Sequence, residues 1–289
     1  MISRIVLILV TVAAFTSGCG AASSSSGDRQ TVVAAFYPLA YAAELVGGGT
    51  VRVENLTPSG AEPHDLELTP RSVAKIQQAD VVLYLGHGFQ PAVSDAVRGA
   101  QGRLVDVLAG LPLHSGHGQE EGLTADPHVW LDPLLYARIV RRVGTVLHRV
   151  ARTAAPIAQL RALDRQYRNG LAHCARREIV TSHAAFGYLA QRYGLRQVPI
   201  TGLTPESEPT AKQLTHVVRL VRRTHATTIF FETLVSPRLA ETVAREVGAR
   251  TAVLDPIEGL TASEQSRGDT YLTLMRRNLT ALRKALSCR

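Results

Sequence analysis

The sequence predicts an α/β protein built from two βα lobes, each with a mainly parallel sheet, joined by helix and facing each other across a cleft. Three observations predict it. Short β-rich runs alternate with helical stretches from Thr31 onward. The run Asp80–Leu85 is almost wholly apolar, as expected for a parallel strand covered on both faces. The alternation is interrupted once, where two helical segments follow each other with no strand between them.

Taken in order, residues 1–18 read as a signal peptide: Arg4 gives a positive start and Ile5–Phe15 an apolar run shorter than the ~20 residues a membrane span needs. Thr16-Ser17-Gly18-Cys19 resembles a bacterial lipobox, with Thr16 where leucine is usual, so Cys19 is the expected lipidation site. An ordinary secretory signal with an incidental cysteine is the alternative. Residues 19–30, with four serines between Ala21 and Gly27, then form a flexible tether.

The first lobe spans 31–131. Its strands are Thr31–Phe36, Val51–Leu56, Asp80–Leu85 and Arg103–Val107; its helices are Pro38–Val46, Pro70–Gln78 (capped by Thr69) and Ala92–Arg98. A loop, Ala109–Asp126, carries His114 and His117. Helical segments Leu134–Arg152 and Ile157–Cys174 fill the linker, 132–174, and an apolar stripe from Leu135 through Val150 marks the buried face of the first. The second lobe, 175–289, repeats the βα alternation: strands Arg177–Thr181, Gln197–Thr201, Thr227–Phe231 and Thr251–Leu254, and helices Ala184–Tyr193, Ala211–Arg223, Pro237–Val247 and a last one around Thr270–Leu286.

The 289 residues suffice for two cores, and 45% are apolar. The net charge of +8 is spread over several helices with glutamates among the arginines, and aromatics make up only 5%. That pattern reads as a basic solvated surface and not as a nucleic-acid groove. Whether the surface meets anionic lipid headgroups stays open. Besides Cys19 there are two cysteines, Cys174 and Cys288, which in an oxidising compartment most simply pair with each other; spacing alone also allows two buried thiols.

Candidate chemistry sits at strand ends, where open α/β sheets bind ligands. His64 follows the second strand, and His183 directly follows strand Arg177–Thr181. Asp255 follows Thr251–Leu254, and His128 lies between Asp126-Pro127 and Asp132-Pro133 at the close of the first lobe. Each has an ordinary reading as a turn or strand-end residue. Together, three imidazoles and a carboxylate make a coordination sphere, and a nitrogen-rich set favours zinc over manganese. Glu206, Glu208 and Glu232 lie near strand ends, where they can accept the second N–H of a ligating imidazole. His114 and His117 are candidates for weaker auxiliary metal capture.

In Glu62-Pro63-His64-Asp65, Asp126–Asp132, Thr181–Tyr188, Pro205–Pro209 and Leu254-Asp255-Pro256 the chain resembles the metal-binding lipoproteins of zinc and manganese ABC importers, the cluster A-I solute-binding proteins. The resemblance runs from about Thr31 to the C-terminus. It implies a long rigid linking helix starting near Asp132, a metal site in the interlobe cleft, and His64, His128, His183 and Asp255 as ligands. Manganese-type members usually carry glutamate where His183 stands, so the resemblance implies zinc. The expectation is an extracytoplasmic, lipid-anchored, monomeric receptor that delivers Zn²⁺ to an ABC transporter permease, without enzymatic activity and without a nucleic-acid partner. Three alternatives stand beside it: a zinc-dependent hydrolase, a manganese-specific receptor of the same fold, and an adhesin that needs no metal.

Overall fold

The structure, a computed structural model, describes residues 29–116, 122–205 and 209–289. Cys19, His117, Glu206 and Glu208 therefore lie outside the described residues.

The first lobe runs β1 (Gln30–Ala34), α1 (Tyr37–Gly47), β2 (Val51–Asn55), α2 (Pro70–Gln78), β3 (Val81–Tyr84), α3 (Pro91–Ala96) and β4 (Arg103–Asp106). Its sheet has the order β2-β1-β3-β4, every pair parallel. The central strands are the apolar ones. Val32, Val33 and Ala34 of β1 and Val81, Val82 and Leu83 of β3 are all buried, because helices cover both faces.

The linker consists of two helices, α4 (Pro133–Val146) and α5 (Ala154–Leu171). The linker thus holds two helices, as the two helical segments of the sequence have it, but α4 stops six residues short of Arg152, where the first segment was expected to end. The early stop has a local cause. His148 adopts a left-handed conformation (φ 55°) and Val150–Thr153 form a 3-10 turn, folding the start of α5 back onto α4. Gly144 makes room for this fold, since a Cβ there would lie 2.2 Å from Cγ2 of Thr153. Helix α4 starts firmly: the Asp132 carboxylate accepts the N–H groups of Leu134 and Leu135, and Pro133 occupies the first turn, where no N–H is needed.

The second lobe repeats the plan with β5 (Glu178–Thr181), α6 (Gly187–Tyr193), β6 (Arg196–Pro199), α7 (Ala211–Thr224), β7 (Thr228–Phe231), α8 (Arg238–Val247) and β8 (Arg250–Val253). The order is β6-β5-β7-β8, again wholly parallel. Two helices follow, α9 (Ala262–Ser266), which the sequence pattern did not reveal, and α10 (Tyr271–Ala285). Both begin with a reciprocal cap, Thr261 with Glu264 and Thr270 with Thr273.

The lobes do not merely face each other; they share a core. One continuous apolar cluster runs from the first sheet through α4 and α5 into α6 and α10, while Val180, Val198, Val217, Ile229 and Val243 form a separate core inside the second lobe. Buried hydrogen bonds cross the seam. The Trp130 indole N–H donates to the Pro256 carbonyl (2.7 Å), and the Tyr271 hydroxyl donates to the Trp130 carbonyl (2.6 Å). Arg192 of α6 pairs with Asp132, the cap of α4. Cys174, just after α5, and Cys288, just after α10, form the expected disulfide, which ties the linker to the C-terminus.

Candidate metal centre

The carboxyl ends of the strands of both lobes point into the seam, and the side chains found there follow from strand register. Strands β5 and β7 are neighbours with Thr181 opposite Phe230. Continuing that register by two residues brings His183 beside Glu232. The Glu232 carboxylate accepts a hydrogen bond from Nδ1 of His183 at 2.6 Å and also accepts the His183 backbone N–H at 3.3 Å. On the other side, Asp126 holds His128 in the same way through Oδ1, at 2.8 Å from Nδ1 and 2.9 Å from the backbone N–H. Each carboxylate holds a proton on Nδ1, so that in the neutral imidazole the inward-facing Nε2 is the free acceptor.

The two Nε2 atoms of His128 and His183 lie 3.3 Å apart. Two lone pairs at that distance repel, so a proton or a metal ion must lie among them. His64 joins them from the segment after β2, with its ring edge-on to Phe89. The fourth group is Glu258. Its Oε1 lies 3.1 Å from Nε2 of His128, 3.4 Å from Nε2 of His64 and 3.6 Å from Nε2 of His183. His64, His128, His183 and Glu258 are all buried, and each offers a ligand atom within 4.8 Å of the others. Two come from either side of the seam, His64 and His128 before α4, His183 and Glu258 after α5.

The fourth group at the imidazoles thus differs from the expectation. The structure puts Glu258, not Asp255, at the three imidazoles. The Asp255 backbone is clamped to α10, donating its N–H to Oδ1 of Asn278 (2.9 Å) and accepting from Nδ2 of Asn278 (2.6 Å). Its Oδ1 accepts the N–H of Ile257 (2.7 Å), bracing a turn in which Ile257 is left-handed (φ 57°). That turn swings the chain so that the carboxylate three residues on enters the seam. Glu258 was visible in the sequence, one residue before Gly259, but no strand-end rule selects it over Asp255.

Electrostatics match this placement. Burial pushes the Glu258 carboxyl up, but hydrogen bonding with His128, His183 and His64 outweighs it and holds the group well below the usual carboxylate range. Burial lowers His183, yet Glu232 and Glu258 lift it well above the ordinary imidazole value, and Asp126 and Glu258 raise His128 likewise. His64, whose Nδ1 has no hydrogen-bond partner among the described residues, is lowered by burial. Asp255 is pushed up to about 7, mainly by burial. Protonated imidazoles thus balance the buried Glu258 carboxylate, a role that a divalent cation would take over on binding.

Of the other expected groups, Glu232 lies against Nδ1 of His183. His114 does not reach the centre. It stacks on Tyr188 (4.0 Å between ring centroids) and its Nε2 lies 2.6 Å from Oε1 of Gln191. Asp126 was not singled out as a hydrogen-bond partner of His128, although it stands two residues away, the spacing at which an Asp side chain readily bonds its own local backbone.

The family of zinc-uptake complex component A, periplasmic (ZnuA), matches residues 32–285, nearly the whole described chain. The chain belongs to the ZnuA family. It is 36% identical to the high-affinity zinc uptake system protein ZnuA of Bacillus subtilis, over 96% of this chain and 94% of that one. The zinc-binding lipoprotein AdcA of Streptococcus pneumoniae is 34% identical over 97% of this chain, which spans only 60% of that longer protein. Among solved structures, the Zn(II)-bound ZnuA-like domain of S. pneumoniae AdcA superposes with a TM-score of 0.75 at 34% identity, covering 89% of this chain and 99% of that domain. The two-lobed, parallel-sheet architecture of this ZnuA-family chain is thus shared with experimentally determined relatives. Among the described residues no helix is long and apolar enough to cross a membrane.

Proposed function

We propose that this protein is an extracytoplasmic receptor that binds Zn²⁺ through His64, His128, His183 and Glu258 and delivers it to an ABC-type importer. The observation that carries the reading is the convergence, from both sides of the seam, of three imidazole nitrogens on one buried carboxylate, two of them with tautomers set by Asp126 and Glu232. Three nitrogens and one oxygen suit tetrahedral zinc better than manganese, which favours oxygen-rich sets. The relatives named above as zinc-uptake and zinc-binding proteins support the same cargo.

Four side chains leave no open coordination position, whereas a catalytic zinc keeps one for water. The site suits capture and transfer. Zn²⁺ with the Glu258 carboxylate has a net charge of +1, and Asp126 and Glu232 offset it through the imidazoles they hold. Because the ligands come in pairs from the two sides of the seam, parting the lobes removes half of them at once. Docking on a permease is the step that would do so.

The rest of the reading continues in the same sense. The chain acts as a monomer, with lobes at 31–131 and 175–289 bridged by 132–174, exported by residues 1–18 and held at the cell membrane through a lipidated Cys19. The deciding experiment is metal analysis and competitive chelator titration of the purified protein. One tightly bound Zn²⁺ per chain, preferred over Mn²⁺ at matched free-ion concentrations, is expected; equal affinity for the two ions overturns the zinc assignment. For the anchor, Cys19→Ala is expected to release the protein from membranes, and unchanged membrane retention refutes lipidation at that residue.

A further inference from the structure

A large concave surface lies away from the metal centre. It is a groove of about 940 Å³ on the flank of the first lobe, between the edge strand β4 and helices α4 and α5. Its floor is apolar, with Leu104, Leu134 and Ile157, and Leu104 is 40% exposed, one of the few large apolar residues open to solvent among those described. Around it stand Arg103, Arg138, Arg141, Arg142 and Arg161. None of the five forms an ion pair among the described residues; Arg138 and Arg142 donate only to the backbone carbonyls of Gly110 and Asp106. The single acidic residue in the lining, Asp106, already accepts the backbone N–H groups of Gly86 and Leu108 through Oδ1. An unpaired set of guanidinium groups over an apolar floor calls for an anion with apolar matter attached.

The position of the groove selects the anion. In a parallel lobe all strands start at the end opposite the metal seam, and that is where the described chain begins. The Arg103 backbone N–H donates to the Asp80 carbonyl (2.9 Å), and the Asp80 N–H donates to the Thr31 carbonyl (3.0 Å). One end of the groove, at Arg103, is thus two hydrogen bonds from Thr31, near the start of the described chain. Val150, 55% exposed, sits in the turn between α4 and α5 at the same end. Ten residues, Cys19 to Asp28, separate the expected lipid attachment from the described chain. Even fully extended they reach only about 35 Å. A body tethered so closely keeps this end near the bilayer.

We propose that the arginine-rimmed groove beside β4 is a docking face for anionic phospholipid, on which the tethered receptor rests. This builds on the membrane-anchored reading above but is tested without the anchor. Residues 29–289 suffice, because the solved S. pneumoniae domain, 99% of which this chain matches, is folded by itself.

Sedimentation with vesicles of phosphatidylcholine containing about one-third phosphatidylglycerol is compared with pure phosphatidylcholine. Binding to the anionic vesicles alone is expected. Each arginine close to an anionic surface contributes roughly fivefold to partitioning, so R103Q/R141Q/R161Q is expected to weaken it on the order of a hundredfold. These three side chains are exposed and unpaired, so the fold should survive, which a thermal melt verifies. The control R219Q/R223Q/R238Q removes the same charge from exposed positions on the second lobe and is expected to lose far less. Equal losses from the two triples, or no preference for phosphatidylglycerol, would overturn the proposal. So would retention of polyglutamate, sensitive to the first triple, without retention of vesicles, which would give the groove to an acidic protein segment. Zinc titration in parallel keeps the two readings separate: vesicle binding without zinc binding refutes the receptor, and the converse refutes the groove.

Discussion

Exchanging the two neighbouring carboxyls tests the centre most directly. Glu258→Gln keeps the size of the side chain but removes the only formal negative charge among the four converging groups and replaces a good oxygen ligand with a poor one. Four-ligand zinc sites of this kind bind with roughly 10–16 kcal/mol, so one ligand accounts for about 3 kcal/mol, on the order of a hundredfold in affinity. The loss of charge in a buried setting adds to this. Asp255→Asn is the matched control. Its Oδ1 retains the hydrogen bond from Ile257 N–H, its backbone stays clamped by Asn278, and the residue has no contact with the imidazoles. Its effect on zinc affinity should stay within about threefold, well under the tenfold that 1.4 kcal/mol represents. The assay is competition against a chromophoric chelator at fixed pH, with circular dichroism to verify folding. If Asp255→Asn lost as much affinity as Glu258→Gln, or if Glu258→Gln bound zinc like the parent chain, the assignment of the fourth ligand would be wrong.

Further outcomes are expected elsewhere. Glu232→Gln, which leaves the ligand His183 in place but removes the carboxylate that holds its Nδ1 proton, should weaken zinc binding by about 10–100-fold, read in the same titration. The metal-free protein should become less stable as pH rises from about 4 to 7. Asp255 is held protonated in the fold, with its pKa pushed up to about 7 from 3.8, so the folded state binds the extra proton throughout that window. The full effect is roughly 4 kcal/mol, and Asp255→Asn should flatten this part of the profile in denaturant melts; an unchanged slope would refute the assignment. His183 and His128, also raised, act in the same direction at higher pH, whereas Glu258, depressed, acts oppositely only as pH falls below its ordinary value. Removing the Cys174–Cys288 link by double replacement with alanine should cost up to about 4.7 kcal/mol, the chain-entropy value for a loop of about a hundred residues, measured as a lower urea midpoint. Full stability in the double variant would show that the link contributes nothing.

Much of this protein follows from local chemistry. The central strands are legible because a parallel strand covered on both faces must be apolar where it is buried, as Val32–Ala34 of β1 and Val81–Leu83 of β3 are. The start of α2 is legible because Thr69 supplies the oxygen that the first turn lacks, and it is an observed cap; Asp132 and Thr270 cap α4 and α10 in the same way. His64, His128 and His183 could be selected because strand ends in such sheets face the ligand, and two remaining cysteines can pair in only one way.

What the sequence by itself could not decide lies where the path of the chain depends on distant residues. Asp255 and Glu258 are three residues apart and equally able to bind a metal. The choice between them is made by Asn278, twenty-three residues on, which clamps one backbone, and by the left-handed turn at Ile257. Glu232 could be named as a strand-end carboxylate, but its pairing with His183 needed the register of β5 on β7. Where the first linker helix ends was hidden for the same reason: the apolar stripe of α4 continues to Val150, and the fit of Thr153 against Gly144 turns the chain before it. Sequence pattern reports which face of an element is buried; where the element stops, and which of two like groups enters a site, is decided by contacts between residues far apart in the chain.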